Sequence, residues 1–283
     1  MKEVDIMDEK PPQIEAIIFD WAGTIIDYGC FAPLDVFIEV FKKRGINVTD
    51  DEARAPMGLL KWDHINEMCK MERIANIWKE KFGRFPQKED VDALYEDFEP
   101  MLFSILPKYC EPVPGAVDLV SRLRTQGLKI GSTTGYTGEM MKIVAPEARK
   151  RGYVPDSMVT SDHLPGGRPY PWMIYQNAIN LEVYPMKHVV KVGDTVSDIK
   201  EGINAGTWAV GILKGSSELG LKETELNALS PENLAYKMDQ VSKKFKEAGA
   251  HYVIESIGEL DKIIPKINKH LEIGVKRPTD HFI

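Results

Sequence analysis

The chain has 283 residues, 43% of them hydrophobic and 28% charged, with a formal net charge of -7. That composition is ordinary for a globular protein and excludes disordered and fibrous classes, and the acidic balance argues against nucleic acid or an anionic membrane as main partner. No apolar run reaches signal-peptide or membrane-spanning length, and Cys30, Cys69 and Cys110 form no CxxC pair, so a reducing cytoplasm is expected rather than a disulfide framework or structural zinc.

At this length one large domain carrying a smaller one is expected. Ile14 to Asp20 (IEAIIFD) is a nearly continuous apolar run ending in a carboxylate, the pattern of a strand buried on both faces. From about Phe31 to Lys108 the periodicity turns helical, through LDVFIEVFKKRG, TDDEARAPMGLLKWDHINEMCK, ANIWKEKFG and EDVDALYEDFEPMLFSIL. This stretch reads as an insertion, a helical cap over residues 29–108, with 1–28 and 109–283 forming the core.

Beyond Pro112 helix-like and strand-like units alternate. Helices are predicted over Ala116 to Gln126, Glu139 to Arg151, Pro171 to Leu181 and Asp198 to Ala205. Strands are predicted over Leu128 to Ser132, Ser157 to Thr160, His188 to Val192 and Thr207 to Leu213. The tail adds a helix (Ala235 to Glu247), a short strand (Tyr252 to Glu255) and a last helix (Ile257 to His270). The expected class is therefore α/β, a doubly wound parallel sheet core with an inserted α-helical cap, whose ligand binds beyond the carboxyl ends of the strands.

Polar groups of complementary type stand after the predicted core strands: Asp20, the run Ser132-Thr133-Thr134, Arg168, and Gly193-Asp194. A carboxylate can attack phosphorus, a hydroxyl can hold a phosphoryl oxygen, Arg can neutralise charge and further carboxylates can hold Mg²⁺. Each alone is commonly a turn or cap residue; together they describe one site.

DWAGT (Asp20 to Thr24), STTG (Ser132 to Gly135), RPYP (Arg168 to Pro171) and GDTVSD (Gly193 to Asp198) resemble, in order, the four motifs of the haloacid dehalogenase superfamily. The resemblance implies Asp20 as nucleophile, Thr134 (with Thr133 as an alternative) as phosphoryl ligand, Arg168 in the place usually held by Lys, and Asp194 with Asp198 on the Mg²⁺ side. One position departs from the phosphatase pattern, because Ala22 stands where a second Asp serves as general acid for an alkoxide leaving group. Either the site is degraded or the leaving group is not an alkoxide.

A carbon leaving group needs an electron sink, which an imine between a lysine and a neighbouring aldehyde supplies. Lys61 follows an apolar patch and His64 lies three residues on, on the same face if the segment is helical. At its ordinary pKa only about 1 in 2,500 lysine amines is neutral at pH 7, so burial near a second cation would be needed. Taken alone, a solvated lysine and an ordinary histidine are the commoner reading.

DWAGTIIDYGCFAP, APMGLLKWDH (Ala55 to His64), GSTTGYT, GGRPYPWM and KVGDTVSDIKEG together resemble the phosphonoacetaldehyde hydrolases, including their cap lysine motif. By that resemblance Lys61 forms the imine, His64 and Tyr136 assist, Met57, Gly58 and Gly135 shape the substrate face, and Cys30 lies at the hinge. Asp20, Asp194, Asp198 and the Ala22 carbonyl hold Mg²⁺, and the protein is a homodimer joined through its caps. The competing expectations are an ester phosphatase or phosphomutase of the same fold and a non-catalytic phosphometabolite-binding protein.

Overall fold

The computed structural model describes residues 11–274. Six short strands form one parallel sheet: β1 (Ala16–Phe19), β2 (Lys129–Thr133), β3 (Ser157–Val159), β4 (Val189–Gly193), β5 (Trp208–Ile212) and β6 (Tyr252–Ile254). Their order is β3-β2-β1-β4-β5-β6, so the winding reverses between β1 and β4. All four residues of β1 are buried, as a central strand covered by helices on both faces requires.

Five helices fill the span between β1 and β2 ahead of the first core helix: α1 (Phe31–Lys43), α2 (Asp50–Arg54), α3 (Lys61–Lys70), α4 (Glu72–Phe82) and α5 (Lys88–Ile105). Phe37 of α1 stacks on Phe98 of α5 at 4.5 Å and on the His64 ring of α3 at 3.8 Å, which ties three cap helices together. The core helices are α6 (Ala116–Thr125), α7 (Gly138–Lys150), α8 (Trp172–Leu181), α9 (Val196–Asn204), α10 (Glu223–Ala228), α11 (Pro231–Glu247) and α12 (Leu260–Glu272). Met140 and Met141 of α7 are buried in the core.

Three local expectations need correction. The stretch from Thr49 to Lys70 is two helices, because Pro56 and the left-handed Gly58 interrupt it and leave residues 55–60 as a loop. Thr49 starts the first of the two with a capping box to Glu52. The short helix α10 was not expected, and α11 begins at Pro231, capped by Ser230, rather than at Ala235.

The chain enters and leaves the cap side by side. Ile26 bridges Pro112, Val113 N–H donates to Ile25 O at 2.7 Å and Asp27 N–H to Glu111 O at 3.2 Å. Asp27 accepts from the N–H groups of Phe31 and Ala32, both at 3.0 Å, satisfying donors at the start of α1. Burial nevertheless pushes its carboxyl up to about 7, against those two donors and the charge of Arg54. An acid whose pKa is higher folded than unfolded contributes stability that is complete below its ordinary value of 3.8 and is lost as pH rises through about 7. Asp27→Asn is therefore expected to flatten the decline of unfolding free energy over that window. Denaturant titrations at several pH values check it, and parallel profiles for the two proteins would refute it.

Candidate active site

Asp20 is the first residue past β1, anchored by its N–H to Val192 O at 2.9 Å. The chain then turns tightly, with Ile25 and Ile26 both donating to Trp21 O. Gly23 sits in this turn at φ 87°, and a Cβ there would lie 2.2 Å from Asp194 Oδ2. Only glycine allows the turn to approach the carboxylate after β4 so closely. Asp194 is further held by the Thr24 hydroxyl, which donates to Oδ1 at 3.1 Å, and by Ser217 N–H, which donates to Oδ2 at 2.8 Å.

Asp20, Asp194 and Asp198 each present a carboxylate oxygen within 4.8 Å of the others, and all three are buried. Burial, and then the charges of Asp20 and Asp198, push Asp194 well above the carboxylate range. A hard divalent cation would remove that repulsion, so the oxygen donor set fits Mg²⁺. Asp198 differs from the other two. Its Oδ1 pairs with Lys191 Nζ at 2.8 Å and Arg168 Nη1 at 3.1 Å, and its Oδ2 accepts from the Thr195 hydroxyl at 2.6 Å. Burial would raise its pKa, but those two cations outweigh burial and hold it low.

Arg168 is buried against Asp20, with Nη2 2.5 Å from Oδ1, and against Glu201, with Nε 3.0 Å from Oε2. Beneath it Lys191 interrupts the apolar strand β4 and gives its ammonium to Asp198, to Glu201 at 3.2 Å and to the Thr133 hydroxyl at 2.7 Å. Thr133 thus faces the buried ion cluster, whereas Thr134 faces the cavity and uses its oxygen to accept from Tyr136 N–H at 3.0 Å. That leaves the Thr134 hydroxyl proton available to a phosphoryl oxygen.

Above these groups lies a small cavity. The core lines it with Asp20, Ala22, Thr134, Gly135, Tyr136 and Arg168, and with Thr195, which the sequence reading missed. Cys30 lines it from the linker, and Met57, Gly58 and Lys61 line it from the cap. A Cβ on Gly135 would lie 2.8 Å from the Leu59 carbonyl, so the absence of a side chain lets the cap loop seat on the core.

Lys61 is the first residue of α3 and 5% exposed. Burial lowers its pKa, Arg168 lowers it further and Asp20 opposes both. Its Nζ lies 5.0 Å from the Tyr136 ring centroid. The expected burial near a second cation is present. Burial also pushes the Cys30 thiol and the Tyr136 phenol well up, which keeps both neutral. His64 is not among the cavity-lining residues: it lies behind Lys61, fully buried on Phe37. Its Nε2 is 2.8 Å from the Ala53 carbonyl, which can only accept, so Nε2 carries the proton and Nδ1 is the free lone pair, without a partner. Burial, then the nearby Lys61 charge, hold His64 well below its ordinary pKa.

Residues 14–206 match the family model of the haloacid dehalogenase-like hydrolases. The phosphonoacetaldehyde hydrolase of Bacillus cytotoxicus is 59% identical over 257 residues, 91% of this chain and 97% of that protein. The chain belongs to the phosphonoacetaldehyde hydrolase family. A second relative of the phosphonoacetaldehyde hydrolases, the bifunctional phosphonoacetaldehyde hydrolase/aminoethylphosphonate transaminase of Clostridioides difficile, is 61% identical over 90% of this chain, which spans 40% of that longer protein. The crystal structure of a phosphonoacetaldehyde hydrolase-like protein from Oleispira antarctica superposes with a TM-score of 0.91 at 38% identity, covering 98% of this chain and 99% of that one.

For this phosphonoacetaldehyde hydrolase family member, two residues of the buried cluster escaped the sequence reading. Lys191 had a signal, a charge inside a strand otherwise buried throughout; Glu201 had a fainter one, lying three residues after Asp198 on the same face of α9. Among the described residues no helix is long and apolar enough to cross a membrane.

Proposed function

We propose that the protein hydrolyses the phosphorus–carbon bond of phosphonoacetaldehyde to acetaldehyde and phosphate, in the degradation of 2-aminoethylphosphonate. The observation that carries this reading is the buried Lys61 amine facing Asp20 and Arg168 across one small cavity, with Ala22 where a phosphatase needs its acid. Lys61 Nζ adds to the aldehyde and loses water to give an imine. The Asp20 carboxylate attacks phosphorus; the bonding pair of the phosphorus–carbon bond moves into the protonated imine, leaving an enamine. Protonation at carbon and hydrolysis release acetaldehyde, and water then cleaves the aspartyl-phosphate.

Thr134 donates to a phosphoryl oxygen and Arg168 neutralises phosphoryl charge while orienting Asp20. His64, neutral with its Nδ1 lone pair free, exchanges protons with the Lys61 nitrogen. Met57, Gly58, Gly135, Tyr136 and Cys30 shape the space around the two-carbon unit. Asp20 and Asp194, with the Ala22 carbonyl and with Asp198 in support, would hold Mg²⁺. Bound there, the ion screens the nucleophile from the phosphonate charge.

Residues 29–108 act as the cap and the remainder as the core, a division supported by the paired linkers at Ile26 and Pro112. The three unpaired cysteines support a cytoplasmic setting, and family resemblance supports a homodimer joined through the caps. The function is tested by assaying phosphonoacetaldehyde beside a phosphate monoester, with and without Mg²⁺. Turnover confined to the phosphonate and dependent on the ion is expected. Preference for the monoester would return the protein to the phosphatase reading.

A further inference from the structure

The core segment 214–221, which follows β5, is touched at once by the linker, by the cap and by a carboxylate of the acidic triad. Gly29 N–H donates to Gly215 O at 2.7 Å, and the Ser217 N–H holds Asp194 Oδ2 at 2.8 Å. From the cap, Arg54 Nη1 donates to Gly29 O at 2.7 Å and to Ser217 O at 3.3 Å. The guanidinium lies 4.7 Å over the Phe31 ring, and the segment packs hard against it, since a Cβ on Gly220 would come within 2.9 Å of Arg54 Nε. Arg54 is also the last residue of α2, directly ahead of the loop that carries Met57 and Gly58 and leads into Lys61.

We propose that Arg54 is a positioning residue that couples seating of the cap to the orientation of Asp194, through Ser217. One residue of the core, Ser217, receives the cap on its carbonyl and grips Asp194 with its amide. Asp194 is crowded by Asp20 and Asp198, so the amide that fixes its orientation also decides how well it meets a cation. A planar guanidinium spans linker and core with donors in fixed directions, which a flexible ammonium does not reproduce. Cap seating and cation binding at Asp194 therefore favour each other. Because such coupling is reciprocal, it is readable from either end.

The inference rests on the reading that Asp194 holds Mg²⁺, and its test separates the two. Mg²⁺ is titrated by calorimetry into wild type, Arg54→Ala and Arg54→Lys. Trypsin cleavage after Lys108, exposed in the second linker, is followed in parallel with and without Mg²⁺. Arg54→Ala is expected to weaken Mg²⁺ binding about five- to tenfold, the lower range of coupling energies, and to lose the slowing of cleavage that Mg²⁺ gives in wild type. Arg54→Lys is expected to weaken binding about two- to threefold, and carries the test if the alanine variant does not fold. Unchanged Mg²⁺ affinity in both Arg54 variants, or Mg²⁺ still slowing cleavage of Arg54→Ala, overturns the coupling. Failure of wild type to bind Mg²⁺ sinks the metal reading itself.

Discussion

Lys61→Arg is expected to reduce phosphonoacetaldehyde turnover by at least about a thousandfold while leaving the fold intact. The arginine keeps the charge and much of the length, but a guanidinium stays protonated at neutral pH and forms no productive imine. Without the imine, the phosphorus–carbon bond has nowhere to send its electron pair, however well Asp20 and Arg168 are placed. In wild type, borohydride added with substrate should inactivate the enzyme and leave a two-carbon adduct on the peptide carrying Lys61. The location of Lys61 makes this selective: it is 5% exposed and its pKa is lowered by burial, whereas the surface lysines of salt bridges such as Lys70–Glu67 remain exposed. Substantial turnover by Lys61→Arg, or an adduct on another lysine, would remove the imine from the mechanism.

The second large effect concerns the buried ions beneath the cavity. Arg168 and Lys191 are two cations facing four carboxylates, Asp20, Asp194, Asp198 and Glu201, a deficit that one divalent cation matches. Lys191 is fully buried, pairs with Asp198 and Glu201 and donates to the Thr133 hydroxyl. Lys191→Met keeps the stem and leaves Asp198 and Glu201 to share Arg168 as their one remaining cation, so a loss of about 3–5 kcal/mol in stability is expected. With Mg²⁺ held in saturating amount throughout the measurement, Glu201→Gln leaves the opposite imbalance and should also destabilise. Joined in one protein, the two changes remove one charge of each sign, and the double variant should recover most of the loss because neighbours in one network are not additive. Denaturant unfolding of the four proteins measures it; losses that simply add would mean that charge balance is not what holds the cluster.

The fold was legible because its signals are periodic. Continuous apolar strands alternating with amphipathic helices specify a parallel sheet, and Asp20, the run Ser132-Thr133-Thr134, Arg168 and Asp194 could be placed after its strands from the pattern, the choice of Thr134 coming from the family resemblance. What pattern could not convey was which way a side chain turns. Thr133 and Thr134 are adjacent hydroxyls, and only the structure shows one directed to Lys191 and the other to the cavity. His64 shares the face of Lys61 as helical spacing requires, yet the Phe37 ring and the Ala53 carbonyl draw it behind that lysine rather than into the cavity. Glu201 and Thr195 depend on partners far away in the sequence, Arg168 and the cap loop, which no local window contains. Loop 55–60 did carry its own signal, in Pro56 and Gly58, inside a stretch whose periodicity otherwise continued.

The cap begins and ends at neighbouring points, Ile26 beside Pro112, and this has an evolutionary consequence. A sheet that receives its insert through paired linkers is indifferent to what the insert contains, provided the two ends lie close together; the entropy of closing such a loop grows only with the logarithm of its length. The groups proposed to handle phosphorus all belong to the sheet and its loops, whereas Lys61, the amine proposed to make carbon a leaving group, lies on the insert. The two halves of the chemistry can therefore drift or be exchanged separately, and a new insert on an old sheet would bring a new leaving group to an unchanged nucleophile.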